Sequence, residues 1–263
     1  MSTIFIVGSS SGIGKATAKL FAEKGWTVIA TMRTPEKEEE LMKYSNVHLY
    51  PLDVTKTETI NKTVEEVLEK YDVDVLFNNA GYGMKSKFED MKEETMLKSF
   101  DTNVLGMIRV TQQFIPYFKA KKSGMILTTT SLAGEMGLAL DGIYAADKWA
   151  TTGLSEMLYH ELYPYGIYVK TIVPGVVKTN FKMDISAMDE YEKLLKNQSA
   201  FLMPNDNLET PEEVAQDVYD AITDEDKERM CYVTGKVAKE LYNKKQELGS
   251  ENFRKYIRNK LMK

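Results

Sequence analysis

The sequence predicts an α/β protein built on one doubly wound parallel sheet with helices on both faces. Short β-branched runs alternate with helical stretches along most of the 263 residues, and this alternation is typical of parallel βαβ units. The runs are apolar throughout, as in strands that are buried on both faces. The first run ends in a glycine-rich turn that opens a helix. Together these features indicate a single Rossmann-type domain over residues 1–263.

The first half of the chain supplies four strands, because it contains four short apolar runs bounded by glycine or polar residues. The predicted strands are residues 3–8, 27–32, 47–50 and 73–77. A first helix follows the glycine-rich turn, and two further helices are predicted at residues 36–44 and 56–70.

The second half continues the same alternation. Strands are predicted at 125–130, 168–173 and 230–233, with helices at 103–120, from 143 to about 163, and over 236–262 as one or two charged amphipathic segments. Pro174-Gly175 ends the strand at 168–173, since this pair of residues interrupts both a strand ladder and a helix.

A long polar segment then interrupts the pattern. Residues 179–210 are rich in Met, Lys, Asp and Asn, with a helix-like middle at 184–196. The chain rejoins the fold at Thr210-Pro211-Glu212-Glu213, which is a good helix start. Because an insertion of this size in a compact domain is usually functional, we expect a substrate lid at about 180–209.

Composition and charge narrow the function classes. The net charge is −5 and the lysines form no basic stripe, which argues against a nucleic-acid partner. The one cysteine, Cys231, rules out an internal disulfide and fits a reducing cytoplasm. His48 and His160 have no companion ligands at metal spacing, so we expect no metal site. With no signal peptide and no apolar run near the roughly 18 residues of a membrane span, we expect a cytoplasmic protein without membrane insertion.

The turn after the first strand has the spacing Gly8-x-x-x-Gly12-x-Gly14. Glycines permit a tight turn and let main-chain N–H groups and a helix N-terminus approach a pyrophosphate. A purely structural glycine turn is the alternative. The candidate cofactor-binding residues of this turn are Gly8, Ser10, Ser11, Gly12, Ile13 and Gly14.

A phosphate-binding P-loop is a second alternative for this turn. Gly14-Lys15 would supply its lysine, but Ala16 stands where a Mg²⁺-binding serine or threonine is required. The spacing of the preceding glycine is also one residue too long. We therefore favour dinucleotide binding.

The end of the second strand predicts which dinucleotide binds. A protein specific for NAD usually places an acidic residue there to hold the ribose 2′-hydroxyl. Here Met32 occupies that position and Arg33 follows it, so a 2′-phosphate would meet a cation. NADP(H) is therefore favoured over NAD(H), the alternative being that Arg33 is a solvated loop charge.

Polar residues also close the third and fourth strands. Asp53-Val54 follows one strand, and Asn78-Asn79-Ala80-Gly81 closes the next. Open α/β sheets bind ligands at the carboxyl ends of their strands, which is where both groups are expected. The asparagines and glycine are also compatible with a simple turn.

Tyr144 and Lys148 are one helical turn apart, so both side chains lie on one face of the predicted helix. A nearby ammonium favours the phenolate and lowers the tyrosine pKa, which suits Tyr144 to general acid/base catalysis. Taken alone, the pair could be a surface pair of no function.

These motifs occur in one order along residues 3 to about 179, and in that order the chain resembles the short-chain dehydrogenase/reductase family in its compact single-domain branch. The motifs are Gly8-x-x-x-Gly12-x-Gly14, Asn78-Asn79-Ala80-Gly81, Asn103, Ser131, Tyr144-x-x-x-Lys148 and Pro174-Gly175-x-x-x-Thr179. Met32-Arg33 is similar to members that prefer NADP and act on hydroxysteroids and retinoids. Asp147 stands where many members have serine, and we expect this difference to leave the chemistry undisturbed.

The resemblance implies a catalytic tetrad. Tyr144 would exchange a proton with the substrate oxygen, and Lys148 would lower its pKa and bind the nicotinamide ribose. Ser131 would hold the reacting oxygen, which becomes more negative in the transition state. Asn103 would anchor a water molecule that links Lys148 to solvent.

The resemblance also implies cofactor contacts from the strand ends. Asp53 and Val54 would contact the adenine, Asn79-Ala80-Gly81 the adenosine-side ribose, and Val177 with Thr179 the carboxamide. Pro174 and Gly175 belong to the same cofactor-binding set. It further implies a homodimer or homotetramer built through the helices at 103–120 and 143–163.

The function that follows is an NADP(H)-dependent carbonyl reductase or alcohol dehydrogenase acting on a bulky or apolar small molecule. Candidate pocket residues are Tyr82, Met84, Met136, Leu138, Phe181 and Ile185, each of which could instead be loop packing. The rival interpretation is an NADP(H)-binding regulatory or scaffold protein that has lost its chemistry. A nucleotide-sugar epimerase would need a larger C-terminal substrate domain.

Overall fold

The computed structural model describes residues 2–179, 183–185, 191–204 and 208–262. Its strands are β1 (Thr3–Val7), β2 (Thr27–Met32), β3 (Val47–Pro51), β4 (Val75–Asn78), β5 (Gly83–Lys85), β6 (Gly124–Thr129), β7 (Ile167–Val173), β8 (Met183–Ile185) and β9 (Cys231–Val233). Its helices are α1 (Gly12–Glu23), α2 (Thr57–Lys70), α3 (Glu93–Phe100), α4 (Gly106–Lys121), α5 (Gly142–Leu162), α6 (Glu192–Leu202), α7 (Pro211–Thr223) and α8 (Lys236–Leu261).

Seven strands form one parallel sheet in the order β3-β2-β1-β4-β6-β7-β9. The chain first builds outward from β1 to β3 and then returns to build outward from β4, so the order reverses between β1 and β4. Val7 pairs with Asn78 at this point, which places Gly8 and Asn79 next to each other beyond the strand ends. In open α/β sheets such a reversal forms the ligand-binding crevice.

Alternate residues of the central strand pack into two separate cores. Ile4 and Ile6 on β1 pack with Phe21 of α1 and Val214 of α7 on one face of the sheet. Phe5 and Val7 pack on the other face with residues of α2, α4 and α5. Each large apolar side chain buried in this way stabilises the fold by about 2 kcal/mol. Burial on both faces confirms the interpretation of the apolar runs as doubly covered strands.

Helices α3 and α4 are joined without a break through a π-helical turn at Asp101–Leu105. The helical region therefore begins at Glu93, ten residues before the predicted start at Asn103. The amphipathic pattern that marks a helix changes phase at a π-turn, which explains why the sequence pattern indicated only the second part.

The predicted helix at 36–44 is wrong. The segment contains two short 3-10 turns, Pro35–Lys37 and Leu41–Lys43. The buried Glu38 carboxylate accepts hydrogen bonds from the main-chain N–H groups of Glu40 and Leu41, at 2.9 and 3.0 Å. A side chain that takes up main-chain donors in this way competes with helix formation.

The helix predicted at 184–196 is also misplaced. Met183–Ile185 forms strand β8, which pairs in parallel with β5, and the helix α6 covers Glu192–Leu202. Thr210 and Glu213 form a reciprocal capping box at the start of α7, as expected. Helix α8 changes direction at Gly249, which has a φ of +70°.

One property of the helices bears on membrane association. Over the residues that the structure describes, none of the helices combines the length and the apolar character that crossing a membrane requires.

Candidate active site

The glycine turn lies at the carboxyl end of β1, at the crevice of the sheet. Gly8 and Gly12 have φ values of +86° and +56°, a conformation that glycine adopts without strain. A Cβ added to Gly14 would collide with the Gly8 carbonyl and would lie 2.6 Å from Asn79 Nδ2. The turn is therefore closed enough that only glycine fits at position 14.

The first turn of α1 offers main-chain donors to an anion. Ser11 is the N-cap residue, but its side chain makes no capping hydrogen bond, and the first turn carries no acidic residue. Uncapped N–H groups at a helix N-terminus are a favourable site for a phosphate. The residues present therefore fit the pyrophosphate of a dinucleotide.

Lys15 does not take the position of a P-loop lysine. Its Nζ forms salt bridges with Glu38 at 3.0 Å and with Glu40 at 2.8 Å. These two pairs hold the loop after β2 against α1. Lys15 thus has a structural role in these salt bridges. The P-loop alternative, which needs this lysine to bind phosphate, loses its main support.

Asn79 ties the glycine turn to the neighbouring strands. Its Nδ2 donates to the Gly8 carbonyl at 3.0 Å, and its Oδ1 accepts from the Thr129 hydroxyl at 3.1 Å. A Cβ added to Gly8 would lie 2.8 Å from the Cα of Ala80. Asn79 and Ala80 thus lie directly against the turn, where the family resemblance places cofactor contacts.

Arg33, Asp53 and Val54 lie at the ends of β2 and β3. Arg33 is exposed, and Val54 is buried under α4. Partial burial of the Asp53 carboxyl is outweighed by hydrogen bonds from Thr55 and by the charges of Lys56 and Arg33, so the pKa of Asp53 lies below its usual value. The Arg33 guanidinium, which is the cation expected at this position, is thus close enough to Asp53 to affect its pKa.

On the other side of the crevice, Thr179 lies beside the glycine turn. A Cβ added to Gly12 would lie 3.4 Å from the Thr179 methyl group. The Pro174 carbonyl accepts the Leu132 N–H at 2.9 Å, and a Cβ added to Gly175 would lie 3.1 Å from the Ala238 Cβ. Val177 forms an isolated parallel bridge with Glu209.

Tyr144 and Ser131 meet at the ends of α5 and β6. The two side chains are hydrogen-bonded, and Tyr144 is 9% exposed. Ser131 also caps a 3-10 turn, since its Oγ accepts the Ala133 N–H at 3.1 Å. The capping bond fixes the serine hydroxyl in position beside the phenol.

Lys148 lies one turn along α5 from Tyr144 and is buried. Its Nζ donates to the Thr129 carbonyl at 2.8 Å and lies 5.8 Å from the centroid of the Tyr144 ring. Burial lowers the pKa of this ammonium to about 8, and the charge of Asp147 opposes that shift. Thr129 therefore links the lysine to Asn79 and the glycine turn.

The pKa of Tyr144 differs from the expected direction. Burial raises it to about 12, the Ser131 hydrogen bond lowers it, and the charges of Asp141 and Asp147 raise it. Loss of hydration outweighs the other effects because the phenolate would be formed in a nearly dry site. The tyrosine is therefore held as a protonated phenol at neutral pH.

Asn103 is buried in the π-turn and faces the loop after β4. Its Oδ1 accepts the Tyr82 N–H at 3.0 Å, and its Nδ2 donates to the Tyr82 carbonyl at 2.9 Å. The same Nδ2 donates to Asp147 at 2.8 Å. The tetrad residues Asn103, Ser131, Tyr144 and Lys148 are thus brought to one edge of the sheet.

The apolar pocket candidates have separate outcomes. Met84 and Met136 are buried, and Tyr82 and Leu138 are half-buried. Met136 and Leu138 pack in an apolar cluster with α8, which favours the packing interpretation for these two. Ile185 lies in β8, and Phe181 lies outside the described residues.

Sequence reasoning missed several residues that brace the site. Thr129 contacts both Lys148 and Asn79, and Gln198 holds the loop that precedes α5 through the main chain of Ala139. Lys85 forms a salt bridge of 2.5 Å with Asp141 just before α5. Their partners are distant in sequence, so no local pattern marks them. Only Asp147 carried a signal, as a carboxylate just before Lys148 where many family members have serine.

Comparisons with known proteins show the family to which the chain is related. Residues 2–190 match the sequence model of the family described as short chain dehydrogenase. The 3-oxoacyl-[acyl-carrier-protein] reductase of Thermotoga maritima is 34% identical over 238 residues, which cover 88% of this chain and 93% of the reductase.

Two solved structures are similar over most of the chain. A short-chain dehydrogenase from Streptomyces avermitilis has a TM-score of 0.86 at 28% identity. The match covers 97% of this chain and 95% of the dehydrogenase chain. An alcohol dehydrogenase from the archaeon Thermococcus sibiricus, complexed with 5-hydroxy-NADP, has a TM-score of 0.74 at 27% identity and covers 89% of this chain and 96% of its own.

Proposed function

This chain belongs to the short-chain dehydrogenase/reductase family of oxidoreductases, and from that premise we propose that it interconverts a carbonyl compound and a secondary alcohol with NADP(H). The observation that carries the proposal is the hydrogen-bonded pair Tyr144 and Ser131 with the buried Lys148 one turn away. We propose that residues 1–263 form one catalytic domain.

The roles follow from the chemistry of each group. When bound, the nicotinamide supplies or accepts the hydride. Tyr144 donates its proton to the carbonyl oxygen in reduction and removes the alcohol proton in oxidation. Ser131 donates a hydrogen bond to the same oxygen, which gains negative charge in the transition state. The raised pKa of Tyr144 keeps the proton available for reduction at neutral pH.

Lys148 and Asn103 support this proton transfer. The Lys148 ammonium would bind the nicotinamide ribose, a role that fits its burial beside Gly81 and Thr129. Asn103 fixes the loop that carries Gly81 and Tyr82. We propose that the same turn of helix anchors the water that connects Lys148 to solvent.

For the cofactor, the proposal is a preference for NADP(H) over NAD(H). Arg33 is exposed at the end of β2, at the position where proteins specific for NAD place an acidic residue. The similar archaeal alcohol dehydrogenase was solved with a derivative of NADP. A guanidinium at this point is suited to a 2′-phosphate because it forms paired, charge-assisted hydrogen bonds.

For the substrate and the assembly, we propose an apolar carbonyl compound or alcohol and a homodimer or homotetramer. The buried Met84 on β5, two residues after Tyr82, supports an apolar substrate, and the similar bacterial enzyme is a reductase of a 3-oxoacyl group. Exposed apolar residues on α3, α5 and the π-turn between α3 and α4 support subunit contacts there; they are Leu97, Phe100, Leu105, Trp149 and Met157. The single cysteine supports a reducing compartment such as the cytoplasm.

The deciding experiment measures oxidation of NADPH and of NADH by the purified protein against aliphatic, aromatic, steroid, retinoid and 3-oxoacyl carbonyl compounds. We expect turnover with NADPH that falls by at least about a thousandfold in Tyr144→Phe, because the phenylalanine cannot transfer a proton. The matched control Tyr159→Phe lies on the same helix away from the tetrad and should keep its activity.

The regulatory alternative makes the opposite prediction. Such a protein would bind NADPH with the same affinity in the wild type and in Tyr144→Phe, and neither would turn over any carbonyl compound. The complete set of Asn103, Ser131, Tyr144 and Lys148 favours catalysis, since a sensor has no need to retain all four.

A further inference from the structure

Asp147 lies on α5 between Tyr144 and Lys148, and its side chain is fully buried. Its Oδ2 accepts a hydrogen bond from the Ser99 hydroxyl at 2.6 Å and another from Asn103 Nδ2 at 2.8 Å. Two donors directed at one carboxyl oxygen favour the ionised form of the group. Ser99 is itself fully buried, so both hydrogen bonds are protected from water.

The hydrogen bond to Asp147 determines the orientation of the Asn103 amide. A carboxylate can only accept, so the NH₂ group of Asn103 must face it and the amide oxygen must face the opposite way. In that orientation the oxygen accepts the Tyr82 N–H and the NH₂ group also reaches the Tyr82 carbonyl. The rotated amide would place its NH₂ against the Tyr82 N–H, where neither could accept.

The orientation matters because Asn103 contacts the cofactor loop. A Cβ added to Gly81 would lie 3.0 Å from Asn103 Oδ1 and 4.0 Å from Lys148 Nζ. The chain Asp147, Asn103, Tyr82 therefore fixes the loop against which Lys148 works. Among the residues that the structure describes, Asp147 is the only carboxylate that accepts a hydrogen bond from Asn103.

We propose that Asp147 is a positioning residue of this enzyme: it fixes the Asn103 amide against the Tyr82 segment and supplies the negative charge that balances Lys148 inside the site. The expected effect of Asp147 on turnover rests on the proposed function. It replaces the expectation that the residue before the lysine is neutral for the chemistry.

The titratable groups near Asp147 lie on α5 and on the loop after β4. Lys148 and Tyr144 face it from its own helix, and Tyr82 faces it from the loop after β4. Asp141, at the start of α5, is already paired with Lys85. Burial raises the pKa of Asp147, and the hydrogen bonds from Ser99 and Asn103 and the charge of Lys148 oppose that rise.

The sign of the effect on the catalytic pair follows from these interactions. The Asp147 charge raises the pKa of Lys148 against burial, and it also contributes to the raised pKa of Tyr144. Removing the charge lowers both pKa values. The pH profile therefore moves toward acid for carbonyl reduction, which needs the protonated phenol, and also for alcohol oxidation, which needs the ionised one.

The test compares Asp147→Asn, which keeps the size and removes the charge, with the wild type. We expect the limb of the kcat/KM profile that reports this pair to move by about one pH unit toward acid. The matched control is Ser155→Ala, a fully buried residue of α5 whose hydroxyl donates only to the Thr151 carbonyl. The control should leave the profile in place, even if its thermal midpoint falls.

Amide hydrogen exchange tests the positioning without turnover. The Tyr82 N–H should exchange about tenfold faster in Asp147→Ala, the effect of loosening one hydrogen bond, and at the wild-type rate in Ser155→Ala. If Asp147→Ala does not fold, Ser99→Ala removes one of the two bonds to the carboxylate and should give a smaller acceleration in the same direction.

The outcomes separate this inference from the proposed function. An unshifted pH profile in a folded Asp147→Asn, or an unchanged Tyr82 exchange rate in the alanine variants, overturns the inference while turnover stands. If the wild type reduces no carbonyl compound, the proposed function fails, and the Tyr82 exchange rate together with the pH dependence of NADPH affinity in Asp147→Asn still decides the inference.

Discussion

Gln198 on α6 exchanges two hydrogen bonds with the main chain of Ala139. Gln198 Oε1 accepts the Ala139 N–H at 3.0 Å, and Nε2 donates to the Ala139 carbonyl at 3.1 Å. The Gln198 side chain is buried, so the pair is shielded from water. It connects the helix after β8 to the loop that runs from Ser131 to Tyr144.

Gln198→Leu should therefore loosen the loop beside the reacting groups. Leucine leaves two main-chain groups without partners, which we expect to cost about 1–3 kcal/mol of unfolding free energy and to raise KM more than it lowers kcat. The matched control is Asn197→Leu. Asn197 is the neighbouring residue on α6, and its side chain donates a hydrogen bond to the Leu261 carbonyl of α8 at 2.8 Å instead of to the Ala139 loop. Equal effects of both variants on KM would contradict a role for the clamp in the site.

The exposed Arg33 predicts how the cofactors are ranked. Arg33→Ala should weaken the binding of NADPH by about 2 kcal/mol, the value of a charge-assisted hydrogen bond. The binding of NADH should change little. Fluorescence titration with both cofactors measures the ratio, with the exposed Lys62→Ala on α2 as a control for net charge. A similar loss for NADPH and NADH would show that Arg33 does not contact the 2′-phosphate.

The closed geometry of the glycine turn predicts a difference between two glycines. Gly14→Ala should abolish cofactor binding and lower the thermal midpoint, because the new Cβ would collide with the Gly8 carbonyl. Gly153→Ala on α5 has open space around its Cβ and should raise stability by about 0.5–1 kcal/mol. Calorimetry of both variants with and without NADPH measures the two effects; tight NADPH binding by Gly14→Ala would contradict the role of the turn.

Glu209 predicts a dependence of stability on pH. Burial raises the pKa of its carboxyl to about 7, against a hydrogen bond from Thr234. Between the unfolded value near 4.5 and about 7 the folded state binds more protons, so stability is highest below this window and falls as the pH rises through it. Glu209→Gln should remove that fall.

Denaturant titrations of Glu209→Gln and of the wild type at pH 4.5, 5.5, 6.5 and 7.5 give the comparison. The difference between the two proteins should change steadily over this series. A constant difference would mean that the carboxyl titrates alike in the folded and unfolded chains.

The parts of the site that could be predicted from the sequence are local. The turn at Gly8, Gly12 and Gly14 needs a left-handed backbone that few other residues adopt, and Tyr144 and Lys148 share a helix face at their spacing. In both cases the chemistry depends on residues within about two helical turns of each other, so spacing alone carries the information.

The contacts that brace the site are not local. Asn103 and Asp147 are 44 residues apart, and Gln198 and Ala139 are 59 apart. Such pairs form only when the sheet order brings their elements together. The failed helix at 36–44 has a different cause, since there the Glu38 carboxylate captures main-chain donors that a helix would have used.

The fold class was predictable because burial on both faces leaves a continuous apolar run in each strand. Strand order and the pairing of β5 with β8 depend on contacts between segments about a hundred residues apart, such as Gly83 with Met183. The pattern of either short segment alone gives no sign of its partner.

The π-turn at Asp101–Leu105 sets the rotation of α4 relative to α3. Compared with a regular helix it holds one extra residue, which turns everything after it by about 100°. Ser99 before the turn faces Asp147, while Phe114 and Phe118 after it point into the core. Deleting one residue here would restore a regular helix and swing both phenylalanines away from the sheet. Related chains should therefore accept an altered residue in this stretch more readily than an altered number of residues.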